Sequence, residues 1–586
     1  MKPPRLYFLS MFPALGLVIS LFLADGLPGA PKADSAIQPR YDVIIEGGRI
    51  VDGTGNAWFF GDVALQGDRI ARVEPAGGLD GTMAGERIDA GGKVVAPGFI
   101  DIQSHSRSAF LYGDTRVVSK VTQGITTEIL GEGTTDAPVN DRIMAAESPE
   151  PGSIREMHLE SFRGRGGFDT WLRTMVGRGL SVNVGSYVGG STIRVYGMGL
   201  EMGEAGPEEL EEMRTAMRWA MEEGAFGLAT ALIYPPGNYA STEELIEVSR
   251  VIADYGGHYI THMRSEADRL LEATDEAIRI GREAGVPVEI YHLKAAGVRN
   301  HHLGPAVVER IHQARREGLD VQANMYPYVA GGTGLTACFP PWAAEGGRLY
   351  ENLADPGVRE RIQDEIEAPG PHDWENLCDL ATPENVLVLG LNRPEHQGWA
   401  GSRLSKIAEA MGKDWIDAAM DLLVAERQRI GTIYFLMSEE NVAHKMAQPW
   451  MMFGTDAGGM DPETATGGAH PRGYGAYPRI LGKYVREEGV ITLEEAVRMS
   501  TSAVALRLGI HDRGLLKPGM YADVVVFDPE TIRDRATFED PHQLSVGVEH
   551  VWVNGEAVLR DGVHTGARPG QIVRGPGWLG RDRESR

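Results

Sequence analysis

Between residues 97 and 506 the chain alternates short apolar runs with amphipathic stretches, and this rhythm restricts the fold more than any other feature. The apolar runs are GFIDIQSH, GITTEILGEG, SVNVGSYVG, GAFGLATALIY, HYITHM, PVEIYHLK, DVQANMYPY and WMMFGTDAG. Among the stretches between them, STEELIEVSRVIADYGG and LLEATDEAIRIGREAG carry helical periodicity and close on Gly, as helix C-termini favour. Strands alternating with helices is the order of parallel βα units. Eight units predict an α/β fold, a TIM-type (β/α)8 barrel.

Both flanks read differently. YDVIIEGGRIVDGTG, GDVALQGDRIARV and GGKVVAPGF are short β runs cut by Gly and Asp turns, and YADVVVFDP and VEHVWVNGEAVLRDG repeat the pattern near the other end. Residues 41–96 and 507–566 are therefore expected to build one small β-sandwich domain from both termini. The segment 334–448 is too long for a loop and holds its own apolar runs, NVLVLGL and TIYFLM, so a structured insertion, and from its place a lid, is expected. Its Phe339-Pro340-Pro341-Trp342 segment either lines a pocket or simply packs. Residues 567–586, rich in Gly, Arg and Pro, read as an irregular or mobile tail.

With a net charge of −25 over 586 residues, a polyanionic partner is excluded as the main ligand, since phosphate binding needs clustered Lys and Arg. No nucleic acid is expected. Only Cys338 and Cys378 are present, which rules out a Cys-rich zinc module and leaves one optional disulfide. Residues 1–36 place Lys2 and Arg5 before an apolar run from Phe8 to Ala24 and then small residues, the layout of an export signal. The mature chain is then periplasmic or secreted; an uncleaved anchor is the alternative, and no later segment could span a bilayer. Oligomeric state is not legible.

In a barrel, catalytic groups sit at the C-terminal ends of the strands. The polar residues ending these runs are His105, Glu132, His262, His292, Tyr326 and Asp456. A single His at a strand end is ordinarily a hydrogen-bonded structural residue. Here, however, two consecutive strands each present one at the corresponding end and a third run ends in GTD, so coincidence is a poor account. Imidazole nitrogen and carboxylate oxygen are the ligands expected of Zn²⁺ in a hydrolytic site with one position open to water.

The motifs GGRIVDGTG, APGFID, VTQGITTEI, LIYPPGNYASTEELIEVSRVIADYGGHYITHMR, the HLK of YHLK, YPY, FGTD, HPR and LKPGMYADVVVFDP carry a resemblance that covers nearly the whole chain after the export segment. The chain resembles the N-acyl-D-amino-acid deacylases (D-aminoacylases) of the amidohydrolase superfamily. The resemblance implies zinc-dependent deacylation of a small-molecule N-acyl amino acid or dipeptide-like substrate, on a barrel of the metal-dependent hydrolase type. It implies His262 and His292 as imidazole metal ligands and Asp456 as general base and acid. It places Lys294, Tyr326 and Arg472 around the substrate, where a cation and a hydroxyl suit a carboxylate and a polarised carbonyl.

Two positions depart from the family pattern. Gln103 stands where the first residue of a His-x-His pair is usual, and Gly131-Glu132-Gly133 replaces a GNC run whose thiolate bridges two ions. Losing an imidazole and a thiolate favours one tightly bound metal, held by Glu132, His262 and His292 with water in the fourth position. His105 and Asp456 then orient that water or form a weak second site. Three other readings compete: a cyclic-amide hydrolase, disfavoured because GAFGLATALIY ends without a lysine to carbamylate; a peptidase for D-residue dipeptides; and a non-catalytic binding protein whose site has decayed at Gln103.

Overall fold

A computed structural model describes residues 40–368, 370 and 372–580. Residues 1–36, expected to be an export signal, and residues 581–586 of the tail lie outside the described residues. No described helix is long and apolar enough to cross a membrane.

The eight apolar runs are eight parallel barrel strands. In chain order they are Phe99–Asp101, Ile125–Leu130, Asn183–Ser186 continued by Val188–Gly189, Gly227–Ala231, His258–His262, Val288–Ile290, Val321–Met325 and Met451–Phe453. Each pairs in parallel with the next, and a parallel bridge between Ser104 and Ala457 joins the last to the first. The strands read as unbroken apolar runs because both faces are covered, helices outside and a side-chain core inside. Ile100, Ile129, Ile260 and Met452 from the strands, with Tyr187 and Phe226 next to the third and fourth, form one buried cluster there.

The helices obey their terminal signals. Ser241 caps Thr242–Ala253 by accepting from the Glu244 amide, and Leu270–Ala284 ends on Gly285 in the left-handed conformation, φ 74°.

The two flanking β regions share one nine-stranded sheet. Val94–Pro97, just before the barrel, pairs antiparallel with Val524–Phe527, just after it, which ties the two ends of the barrel together. In the Val548–Val553 and Glu556–Arg560 hairpin, Asn554 and Gly555 both have positive φ, the turn that this dipeptide favours.

The insertion is structured. Ala330–Gly334 and Gly431–Phe435 pair antiparallel at its base, Val386–Val388 and Ser402–Arg403 extend that sheet, and Leu335, Leu353, Ile362, Val386 and Leu422 belong to its own core. Cys338 and Cys378 are disulfide-bonded within it. Of the two roles open to Phe339 and Trp342, packing is the one observed: Phe339 is buried in that core, and Trp342 donates to Glu365 at 2.9 Å beneath the Arg361 guanidinium.

Two readings, irregular or mobile, stand open for the tail. It is irregular, but its described part is tied down along the starts of the third and fourth strands: the amides of Gly570, Val573 and Gly575 donate to the carbonyls of Leu180, Val184 and Gly224 at 2.8 Å each, and Val573 is buried.

Candidate active site and metal centre

All the strand-end polar residues meet at one mouth of the barrel, in a cavity of about 790 Å³ that the base of the insertion roofs with Thr333, Leu389, Ile433 and Tyr434. Position follows from backbone constraint. Glu132 leaves the second strand through Gly131, φ 118°, where a Cβ would come within 2.5 Å of the Tyr187 carbonyl, so only glycine turns here. His292 (φ 33°) and Asp456 (φ 50°) are themselves left-handed, at a cost of about 1 kcal/mol or more each that the surrounding bonds must offset. The Asn324 side chain accepts the His292 amide at 2.8 Å, and the Gln103 carbonyl accepts the Asp456 amide at 2.8 Å.

Glu132 is the centre. Its Oε1 lies 3.2 Å from His292 Nε2 and 3.3 Å from His262 Nδ1; its Oε2 lies 3.3 Å from His105 Nε2 and accepts from the Gln103 amide at 2.5 Å. Two overlapping donor groups result, Glu132 with His262 and His292, and His105 with Glu132 and Asp456. The first fits a divalent metal: its oxygen–nitrogen separations match the ~3.4 Å edge of a tetrahedron with bonds of about 2.0–2.1 Å, and its ligand types are those zinc takes. The second replaces an imidazole by the neutral Gln103, whose amide nitrogen faces Glu132.

Behind the imidazoles stands Glu266, which sequence reasoning missed. His292 Nδ1 lies 2.9 Å from Glu266 Oε1 and 2.7 Å from Lys294 Nζ, His262 Nε2 lies 3.5 Å from Glu266 Oε2, and Lys294 Nζ donates to both Glu266 oxygens at 2.7 Å. A carboxylate behind a ligating imidazole fixes the ring and its tautomer. The one available signal was a buried Glu four residues after a strand-end His. Lys294 lines the cavity as expected, but its ammonium is engaged by Glu266 rather than free for a ligand.

Arg472 and Tyr326 also line the cavity. The Arg472 guanidinium lies 2.8 Å from Asp456 Oδ2, donates to the Gly332 carbonyl at 3.1 Å and sits 4.5 Å over the Tyr326 ring. On its other oxygen Asp456 meets His105 Nε2 at 2.8 Å.

These contacts set the proton affinities. Burial opposes the charged form of Asp456, but Arg472 and the His105 hydrogen bond outweigh it and hold the carboxyl below its ordinary value. Glu132 is likewise buried, yet hydrogen bonds from the three imidazoles keep it well below the usual range. Burial and Lys294 work against a charged His292, but Glu266 and the bonds to Glu132 and Glu266 prevail and push it up to about 9. His262 is lowered, burial dominating.

Comparison with known proteins follows the same lines. The amidohydrolase family matches residues 380–559. The chain is 34% identical to the D-aminoacylase of Alcaligenes xylosoxydans xylosoxydans over 542 residues, 92% of this chain and 99% of that one. It superposes with a TM-score of 0.73 on a D-aminoacylase with a binuclear metal centre, characterised by one-metal activation and second-metal attenuation, at 34% identity over 91% of this chain and 100% of the other. The N-acyl-D-glutamate deacylase of Bordetella bronchiseptica, complexed with zinc and a phosphonate mimic of the tetrahedral intermediate, gives a TM-score of 0.73 at 31% identity, covering 92% and 100%. The chain belongs to the N-acyl-D-amino-acid deacylase (D-aminoacylase) family of amidohydrolases.

Proposed function

We propose that this protein hydrolyses the amide bond of N-acyl-D-amino acids with one tightly held zinc ion. The observation that carries the reading is the placement of Asp456, locked between His105 and Arg472, beside the Glu132, His262 and His292 donor group. A zinc ion there would supply polarisation of the substrate carbonyl and a bound water of lowered pKa.

The chain's own residues supply the rest. Asp456, ionised throughout the neutral range, accepts the attacking water's proton and returns it to the leaving nitrogen, without which an amine anion would have to depart. His105 shares Asp456 Oδ1 and orients that carboxylate. Arg472 keeps a buried Nε–H without a hydrogen-bond partner, while its Nη1 meets Asp456, and that free donor suits the substrate's α-carboxylate. Tyr326, under that guanidinium, lines the same cavity and offers a hydroxyl to the polarised carbonyl.

The cyclic-amide alternative is disfavoured because the fourth strand, Gly227–Ala231, and the Leu232-Ile233 that follow carry no lysine to carbamylate. We also propose that residues 1–36 direct export, which N-terminal sequencing of the mature protein would test.

The functional test is a screen of zinc-loaded and chelator-treated protein against N-acetyl-D- and N-acetyl-L-amino acids, D-residue dipeptides and hydantoins. The proposal expects zinc-dependent release of free D-amino acids. Hydantoin opening alone, or a metal-free protein inert to every amide, would overturn it in favour of the rival readings.

A further inference from the structure

The cavity holds four cationic side chains, and three of them are answered. Lys294 is held by Glu266, Arg472 by Asp456, and Arg107 by Asp136 at 3.5 Å. The fourth, Arg429, comes from the insertion, immediately before the strand Gly431–Phe435 that roofs the cavity. Its side chain is exposed, its hydrogen-bond partner is the Thr333 hydroxyl at 3.4 Å, and no carboxylate lies within 4.0 Å of it among the described residues. In a chain with 82 acidic against 57 basic residues, an arginine without an acidic neighbour inside the catalytic cavity calls for an anion from elsewhere.

Arg429 lines the same cavity as the imidazole donors. The Tyr234 ring stands edge-on to the His262 ring at 5.4 Å, and Thr333, whose hydroxyl accepts from Arg429, lines the cavity with it. The apolar Ile233, Leu389 and Ile433 belong to the same lining. A cation beside an apolar wall suits a carboxylate carried on a short aliphatic spacer.

We propose that Arg429 binds a second carboxylate of the substrate, so that the preferred substrates are N-acyl amino acids carrying an acid either on the amino-acid side chain or at the end of the acyl group. The inference rests on the deacylase reading. Arg472 takes the α-carboxylate through its unpartnered Nε–H, and Arg429, whose guanidinium faces no carboxylate of the described residues, takes the additional one.

The test compares kcat/KM of the zinc-loaded full chain on N-acetyl-D-leucine, N-acetyl-D-glutamate and N-succinyl-D-leucine, for wild type, Arg429→Met and Arg429→Lys. Wild type should favour one acidic substrate over N-acetyl-D-leucine by about tenfold or more, and whichever it favours identifies the source of the carboxylate. Arg429→Met should cut that preference by about 10- to 100-fold, chiefly through KM, with Arg429→Lys intermediate. A wild type indifferent to the second carboxylate in both positions overturns the proposal, as does an Arg429→Met that slows acidic and neutral substrates equally. If no N-acyl amino acid is turned over, the deacylase reading falls, and calorimetry with glutarate decides the role of the arginine. Weaker glutarate binding to Arg429→Met than to wild type supports it, and equal or undetectable binding to both overturns it.

Discussion

The side-chain amide of Gln103 donates to Glu132 Oε2 across 2.5 Å, while the buried Gln103 Oε1 finds no partner among the described residues. Gln103 thus occupies a ligand position with a donor instead of a lone pair and ties down one oxygen of the carboxylate that a second ion would need. Gln103→His is expected to raise the zinc content from about one toward two ions per chain at saturating metal. Elemental analysis after equilibration checks this; a variant that still binds one ion would place the block elsewhere.

His292 supplies one of three protein donors, and two do not make an adequate zinc site. His292→Ala should therefore lose tightly bound metal, with zinc affinity down by about a hundredfold or more, while folding cooperatively. Stoichiometric zinc surviving dialysis in that variant would contradict the ligand set.

Glu266 lies against the imidazole nitrogens that are turned away from Glu132, His262 Nε2 and His292 Nδ1. Glu266→Gln keeps the shape and removes the charge, leaving Lys294 buried beside His292 without its counter-ion. Metal affinity should fall by about 10- to 100-fold. Unchanged affinity, measured by competition with a chelator, would reduce Glu266 to a partner of Lys294 alone.

Metal uptake should depend on pH in a definite direction. In the metal-free protein His292 is raised to about 9, so at neutral pH its Nε2 carries a proton that a metal must displace. Zinc affinity should climb by about tenfold per pH unit between 7 and 9 for each proton released, and level off above that. Calorimetry in buffers of different ionisation enthalpy counts the protons; an affinity flat from pH 7 to 9 would mean His292 is already neutral.

Much of this arrangement is legible in the residues. His262, His292 and Asp456 end apolar runs, and a barrel brings strand ends together whatever the helices do. Glu132 is legible for the same reason, because Gly131 sets the turn and a carboxylate follows. What escapes is anything placed by a loop's path rather than by a strand's end. Glu266 lies four residues past its strand, in a loop whose course periodicity does not describe. Arg429 sits in an insertion whose fold over the mouth depends on pairing between Ala330–Gly334 and Gly431–Phe435. Phe339 and Trp342 were aromatic enough for either a pocket or a core, and only the insertion's own core decides between them. The tail reads as irregular or mobile because its composition lacks periodicity; irregular is what is observed, with the amides of Gly570, Val573 and Gly575 bonded to carbonyls beside the third and fourth strands.

The account turns on Asp456, whose contacts with His105 and Arg472 leave it ionised and aimed at the site without making it one of the donors of the Glu132, His262 and His292 group. The most direct measurement is kcat together with zinc content for Asp456→Asn, on the N-acetyl-D-amino acid that wild type turns over best. Zinc near one per chain with turnover lowered by about a hundredfold or more is the predicted result. Near-normal turnover at full zinc occupancy would contradict it.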